Sequence, residues 1–130
     1  MTTTHRLGEL QLAIMRVLWT RGEAAAADVH ADLADRGLAP TTIATMLTKM
    51  EKKGVVTHRT EGRRFVYRPL VDEGAVHRGM VRDLVDQVFG GDSSALVHHL
   101  LREGEIDGDE LAELRARIAA RQPRGGRDAR

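Results

Sequence analysis

The sequence predicts a mainly α-helical protein that carries one small β-hairpin. Apolar residues recur three and four positions apart over most of the 130 residues, as they do in amphipathic helices. Between residues 55 and 68 this period gives way to two short runs rich in β-branched and aromatic side chains, separated by Thr60-Glu61-Gly62. Three helices, a hairpin and then further helices is the order of a winged helix-turn-helix domain followed by a helical domain.

Two helices are expected at the start of the chain. The first begins at Glu9, whose carboxylate suits the positive end of a helix dipole, and ends at Arg21. The second is predicted from Ala24 to Asp35. Trp19, near the end of the first helix, is expected to pack against protein, at the hinge between the two halves or beneath the hairpin, rather than to stack on a base.

The third helix and the hairpin follow directly. The helix is predicted from about Thr41 to Lys53, after Pro40, a residue that favours the first helical turn. Its apolar residues follow the i, i+3, i+4, i+7 pattern of one buried stripe. These residues are Ile43, Met46, Leu47 and Met50. The hairpin strands are predicted over residues 55–59 and 64–68.

After Val71 the chain is predicted to form three more helices with apolar stripes. Asp92 and Ser93 are candidate caps for the second of them, and a capping box of Asp107 and Glu110 starts the third. Three helices of roughly 12 residues make a thin core by themselves, so the stripes favour a dimer interface over a closed bundle within one chain. The apolar positions expected at this interface are Val76, Met80, Leu84, Val88, Leu96, Leu100, Leu111, Leu114 and Ile118.

Charge is distributed unevenly along a chain whose formal net charge is only +1. Residues 1–71 hold 11 Lys and Arg against 7 Asp and Glu, residues 72–120 hold 5 against 11, and the last ten hold 4 against 1. A basic front half indicates a polyanionic partner. The predicted domains are a DNA-binding domain over residues 1–71, a helical dimerisation domain over 72–121 and a disordered basic tail over 122–130.

Several classes of function have no support in the sequence. The chain contains no cysteine, which excludes disulfides and thiolate chemistry, and no window is apolar over the roughly 18 residues of a membrane span. A signal peptide, a phosphate-binding glycine loop and the common hydrolase motifs are also missing, which favours a cytoplasmic protein that is not an enzyme and needs no cofactor.

The six histidines do not predict a metal site. His98 and His99 are adjacent, so on a helix their side chains would point about 100° apart and make no two-ligand clamp. The others fall in separate predicted elements. Scattered surface or interface histidines are therefore expected, with a metal or haem site assembled across a dimer as the alternative.

The polar face of the third helix has the side chains of a DNA-reading helix. Its threonines offer hydroxyls and methyl groups to base edges, and its lysines offer charge to phosphates. The hairpin adds arginines at its turn, where they would meet a phosphate or the minor groove. A solvated polar face and a hairpin kept soluble by charge would look similar, but two adjacent basic elements favour DNA. The candidates are Thr41, Thr42, Thr45 and Thr48 for bases, and Lys49, Lys52, Arg63 and Arg64 for phosphates.

A series of short segments supports the same interpretation by resemblance. They are Leu7-Gly8-Glu9-Leu10-Gln11, Val17-Leu18-Trp19, residues 40–50, Lys52-Lys53-Gly54, Glu61-Gly62-Arg63, Val66-Tyr67 and Phe89-Gly90-Gly91. Taken in this order, from Leu7 to Ile118, they resemble the penicillinase-repressor family (BlaI/MecI). The resemblance implies a homodimeric winged-helix repressor that binds palindromic, double-stranded operator DNA and controls β-lactamase or other cell-wall resistance genes.

The resemblance also implies how repression is relieved. In this family a membrane sensor-protease triggers cleavage of the repressor within the segment that matches residues 96–101, which makes His99 and Leu100 the expected cleavage segment. Thr41 and Ala44 stand where the family's reading helix often has basic residues, so the operator sequence does not carry over. The copper-responsive branch uses a C-terminal cysteine cluster, which this chain lacks.

Two other functions fit the same residues. One is a protein-interaction module of winged-helix shape, whose basic hairpin meets an acidic partner. The other is a DNA-binding regulator of the same fold that responds to a small ligand or metal at the dimer interface.

Overall fold

The computed structural model describes residues 7–121, and these form two compact units that divide between Asp83 and Leu84. The predicted tail over 122–130 lies outside the described residues. The predicted domain boundary at residue 71 lies before this division, because the beginning of the fourth helix packs into the core of the first unit.

The order of elements is the predicted one, with one added strand. The structure contains α1 Glu9–Arg21, β1 Ala24–Ala25, α2 Ala26–Asp32, a 3-10 turn at Ala34–Arg36, α3 Pro40–Lys53, β2 Val56–Glu61, β3 Arg64–Pro69, α4 Glu73–Phe89, α5 Ser93–Arg102 and α6 Gly108–Arg121. The prediction of a mainly α-helical chain with a small β-wing is confirmed. None of the described helices is long and apolar enough to cross a membrane.

Helix α3 has a residue suited to each of its ends. Pro40 occupies its first turn, and Gly54 follows its last residue with a φ of +84°, a left-handed conformation that glycine adopts without steric cost. The predicted buried stripe is confirmed, with Met46 only partly buried beside it. Its fully buried side chains are Ile43, Leu47 and Met50.

The bounds predicted for the second helix, Ala24 to Asp35, were wrong at both ends, because α2 covers only Ala26–Asp32 and a separate 3-10 turn follows it. Ala24 and Ala25 form a short strand that pairs antiparallel with β3, opposite Tyr67 and Val66. The Asp28 carboxylate accepts a hydrogen bond from the Ala25 backbone N–H at 3.1 Å, so the helix starts only after Ala25. Pairing with a strand more than forty positions away outweighs the high helix propensity of alanine.

The sheet has three antiparallel strands in the order β1-β3-β2. Strands β2 and β3 form the predicted hairpin, and Glu61 pairs with Arg64 across its turn. Gly62 in this turn has a φ of +64°. We call residues 56–69 the wing.

The core of the first unit lies between the three helices and the sheet. Val76, from the beginning of α4, is fully buried within this core, and Met80 packs partly against it. The assignment of Val76 to a dimer interface therefore needs correction, because its side chain is covered within its own chain. Trp19 also packs against this core, and its indole N–H donates a 2.9 Å hydrogen bond to the Val71 carbonyl, as its predicted packing role requires.

The second unit contains the end of α4 together with α5 and α6. The Asp92 carboxylate caps α5 by accepting from the Ser94 and Ala95 amides. The predicted capping box at the start of α6 is confirmed, since Asp107 and Glu110 each accept a hydrogen bond from the other's backbone N–H, at 2.8 and 3.0 Å. Among the described residues of this unit, Val85 is the one large apolar side chain that is buried.

Candidate nucleic-acid interface

The outward face of α3 consists of small polar and apolar side chains followed by cations. Thr41, Thr45 and Thr48 are exposed, whereas Thr42 is half-buried. The hydroxyl of Thr48 donates to the Ala44 carbonyl at 3.1 Å, one turn earlier in the helix, so this hydroxyl already has an acceptor. Thr41 and Thr45 therefore have the freest hydroxyls among the predicted base-reading residues.

The cations near this face differ in whether the protein itself neutralises them. Within the described residues, Lys49, Lys52 and Arg63 are exposed and form no hydrogen bond or ion pair. Arg59 instead bonds both Glu23 and Glu61, at 2.8 to 3.1 Å. An exposed cation without an internal partner is the kind that a phosphate neutralises at least cost.

The charge of Arg64 is only partly neutralised within the protein. Its guanidinium donates to Glu61 at 3.2 Å, and the side chain remains exposed. The bonds from Arg59 and Arg64 lower the pKa of Glu61. The Glu61 carboxylate is therefore ionised at neutral pH and offsets part of the positive charge of the wing.

A polar and aromatic cluster joins the wing to α3. The His58 Nδ1–H of β2 donates to the Glu51 carboxylate of α3, at 2.7 and 3.0 Å to its two oxygens. The His58 ring stacks on Phe65, with ring centroids 4.1 Å apart. Buried Tyr67 also contacts His58, with ring centroids 5.4 Å apart, and burial, with the nearby charge of Glu51, raises the pKa of Tyr67. The wing is therefore held in a fixed position against α3.

Sequence reasoning did not find this cluster. Glu51 and His58 belong to different elements, and the pattern of either element contains no sign of the other. A signal existed only in the hairpin register, which places His58 and Tyr67 opposite each other and hence on one face of the sheet.

The structure brings α3 and the wing turn to one groove. Ala44 of α3 and the two arginines Arg63 and Arg64 line the same surface depression. The eight predicted DNA-binding residues thus lie on α3 and the wing, and two of them, Arg63 and Arg64, line this groove. Ala44 was not among the predicted binding residues.

The predicted dimerisation residues of the second unit are exposed or half-buried within one chain. Leu84, Val88, Leu114 and Ile118 are exposed, and Leu96, Leu100 and Leu111 are half-buried. Val97 and Leu101, which were not among the predicted dimerisation residues, are exposed as well.

The predicted cleavage segment lies inside helix α5. His99 is exposed, its ring packs against Phe89 with centroids 5.9 Å apart, and Leu100 is half-buried. Across the described residues, no group of three His, Asp or Glu side chains is placed to hold a metal ion.

Comparisons with known proteins agree with this geometry. A family model described as penicillinase repressor matches residues 7–120. The penicillinase repressor of Bacillus licheniformis is 29% identical over 110 residues, which cover 84% of this chain and 86% of that protein. The transcriptional regulator BlaI of Mycobacterium tuberculosis is 35% identical over an alignment that covers 96% of this chain and 96% of that protein.

Among solved structures, the first unit is similar to the DNA-binding domain of the repressor BlaI. That solution structure is 34% identical, with a TM-score of 0.50, and the match covers 58% of this chain and 93% of that one. The resemblance found in the sequence is therefore confirmed. The chain belongs to the penicillinase repressor family, whose members are DNA-binding transcriptional repressors and not enzymes.

Proposed function

We propose that this protein is a homodimeric repressor that places α3 of each protomer in the major groove of a palindromic operator. The observation that carries this proposal is the set of unneutralised cations, Lys49, Lys52 and Arg63, beside an exposed face of small side chains. A helix enters the B-DNA major groove only if its outward side chains let its axis approach the base edges. The threonines and Ala44 meet this requirement.

The residues divide by what they would contact. Thr41 and Thr45 supply free hydroxyls for base edges, and Thr42 and Thr48 contribute mainly their methyl groups. Lys49 and Lys52 at the end of α3 and Arg63 at the wing turn contact phosphates. Arg64 contributes less, because it shares its charge with Glu61.

A salt titration of DNA binding tests the phosphate contacts. In fluorescence anisotropy with DNA from upstream of the protein's own gene, Arg63→Ala should lower the slope of log Kd against log salt by about 1, since each phosphate contact releases counterions. Arg16→Ala is the matched control, because Arg16 is exposed on α1 and lines a different groove. Equal slopes for both variants would contradict the proposed contact.

The same titration tests the function as a whole. A specific repressor should prefer its native DNA over scrambled DNA by about a thousandfold or more. Weak binding without sequence preference would instead support a protein-interaction module that uses the winged-helix shape.

The second unit provides the dimer contact in this proposal. Its exposed apolar side chains have no cover within the described chain, and the wing and α3 of one protomer can fill only one half of a palindrome. A second copy would cover the apolar side chains and add the second reading helix.

The names of the relatives support a proposal for the class of genes that this chain controls. They include a penicillinase repressor and the methicillin resistance regulatory protein MecI. We therefore infer that this cytoplasmic repressor controls genes for β-lactam or cell-wall resistance.

Relief would follow from cleavage near His99 and Leu100, triggered by a membrane sensor-protease. Both residues lie inside α5, and a protease binds its substrate as an extended strand, so α5 must unwind before cleavage. Cleavage there would remove α6 and part of the apolar surface needed for the dimer.

A further inference from the structure

A groove of about 300 Å³ lies on the face assigned above to DNA, where residues of α3, the wing and the start of α2 line it together. Alanines line one part of it, including Ala26 and Ala27 at the start of α2 and Ala44 on α3. The wing contributes the other lining side chains, among them Phe65 and Arg63.

The geometry of B-DNA dictates what passes through such a groove. One sugar–phosphate backbone always separates a major groove from the adjacent minor groove. If α3 occupies the major groove and the wing turn reaches the adjacent minor groove, that backbone must pass between α3 and the wing. The groove is lined by residues of both elements, Ala44 of α3 and Arg63, Arg64 and Phe65 of the wing, together with the alanines at the start of α2.

We propose that this groove receives the sugar–phosphate backbone of one operator strand, and that Phe65 packs against its deoxyribose rings. This inference rests on the proposed function and names the part of the DNA that this site binds. Arg63, at the edge of the groove and without an internal partner, then contacts a phosphate of the same strand.

The exposure of Phe65 is the first argument for this role. Its side chain is 48% exposed, whereas Val56, Val66 and Tyr67 of the same two strands are buried. A large apolar side chain left in water on a charged hairpin loses the stabilisation that burial gives. A deoxyribose ring offers an apolar surface that covers the ring without requiring a charge.

The fixed orientation of Phe65 is the second argument. The ring stacks on His58 with an interplanar angle of 24°, and His58 is held by Glu51 of α3. The ring is therefore oriented before DNA arrives, and binding loses little side-chain entropy.

The small size of the side chains that line the groove on α2 and α3 is the third argument. Ala27 and Ala44 are exposed, and each carries only a methyl group. A long side chain at either position would occupy the volume through which the backbone passes.

The test compares Phe65→Ala with Leu70→Ala in the full-length protein. Leu70 is also 48% exposed and follows β3 directly, but it does not line the groove. With the upstream DNA as probe, Phe65→Ala should weaken binding about tenfold while the salt slope stays unchanged, because an apolar contact releases no counterion. Leu70→Ala should bind as the unaltered protein does.

A second pair of variants guards against loss of folding. Ala27→Leu keeps a good helix former at an exposed site, so thermal unfolding should not change, but the added side chain fills the groove. It should weaken binding and lower the salt slope, since the strand can no longer reach Arg63. Phe65→Leu should recover part of the affinity lost in Phe65→Ala.

The outcomes separate this inference from the proposed function. If the unaltered protein prefers its native DNA but Phe65→Ala and Ala27→Leu bind as tightly as it does, the repressor function stands and this inference is wrong. If Phe65→Ala loses affinity together with salt slope, the loss is electrostatic and the sugar contact is refuted. If the unaltered protein shows no sequence preference, the proposed function itself fails.

Discussion

At the scale of single residues, the threonines of α3 differ in what their hydroxyls can do. Thr48 donates to the Ala44 carbonyl, whereas Thr41 and Thr45 are exposed and have no such bond within the described residues. A hydroxyl that is already bonded inside the helix offers less to a base edge than a free one. Base recognition is therefore expected to depend on the first half of the helix.

This difference predicts how single substitutions divide affinity from specificity. Thr45→Ala should reduce the preference for native over scrambled DNA about tenfold, because a lost base contact is felt only at the native sequence. Lys49→Ala should weaken binding to both DNAs by a similar factor and lower the salt slope. The measurement is anisotropy with both DNAs at several salt concentrations, and a uniform loss for Thr45→Ala would refute its role as a base reader.

The residue types of this site could be predicted, but their partners could not. The threonines, the lysines and Arg63 follow from helical period and from the position of the turn. That Arg59 is neutralised by Glu23 depends on a contact over 36 positions, and this contact exists only once the sheet has formed. Phe65 could not be predicted as a site residue for a different reason, because aromatic residues in strands usually pack against neighbouring side chains.

At the scale of elements, the wing and α3 act as one body because side chains join them. The Glu51–His58 bond and the His58–Phe65 stack hold the hairpin against the end of the reading helix. A two-stranded hairpin is only marginally stable alone, so this support and the third strand β1 determine where its turn lies. The strand β1 could not be predicted, because its two alanines favour a helix when judged by local sequence.

The cap of α5 predicts a pH dependence in the second unit. Hydrogen bonds from the Ser94 hydroxyl, and then from the Ala95 amide, lower the pKa of Asp92. A carboxylate whose pKa is lowered by folding stabilises the folded state above its unfolded pKa, about 3.9, and this contribution is lost as the pH falls through the folded value. At neutral pH the cap is therefore fully formed.

Amide hydrogen exchange of α5 measures this effect. In Asp92→Ala the first turn of α5 should exchange faster at pH 7, and lowering the pH to 3 should change its protection less than in the unaltered protein. Asp92→Asn is the matched control, because asparagine caps a helix without titrating. If the first turn of α5 exchanged as fast in Asp92→Asn as in Asp92→Ala, the charge of Asp92, and not its capping hydrogen bonds, would be what protects the helix.

At the scale of the whole molecule, the two units differ in how much of their apolar surface is buried. The first has a contiguous core that includes Ile14, Leu18 and Val29, so the winged domain was predictable from its periodic stripes. The second buries only Val85 among its large described side chains. The division at Asp83 was not predictable, because the stripe of α4 is continuous and does not show that Val76 serves one unit and Val88 the other.

The exposed side chains of the second unit predict a dimer that a charge would disrupt. Val88 is 62% exposed and Ile118 is 58% exposed. An aspartate at either position would place an unpaired charge in the apolar contact with a second copy, which is energetically costly. Val88→Asp and Ile118→Asp should therefore sediment as monomers. Leu70→Asp, on the first unit, is the matched control and should remain dimeric.

Loss of the dimer should weaken binding to the full operator, because a monomer contacts only one half-site at a time. The two winged domains of a dimer bind half-sites about 34–36 Å apart. Once the first domain is bound, the second binds at a high effective concentration because it is held close to its half-site. Val88→Asp should therefore weaken binding to the full operator by about 10²- to 10⁴-fold while its affinity for an isolated half-site stays unchanged. If a monomeric variant bound the full operator as tightly as the unaltered protein, the second unit would serve another purpose. A weakened half-site affinity would instead mean that the substitution had damaged the winged domain itself.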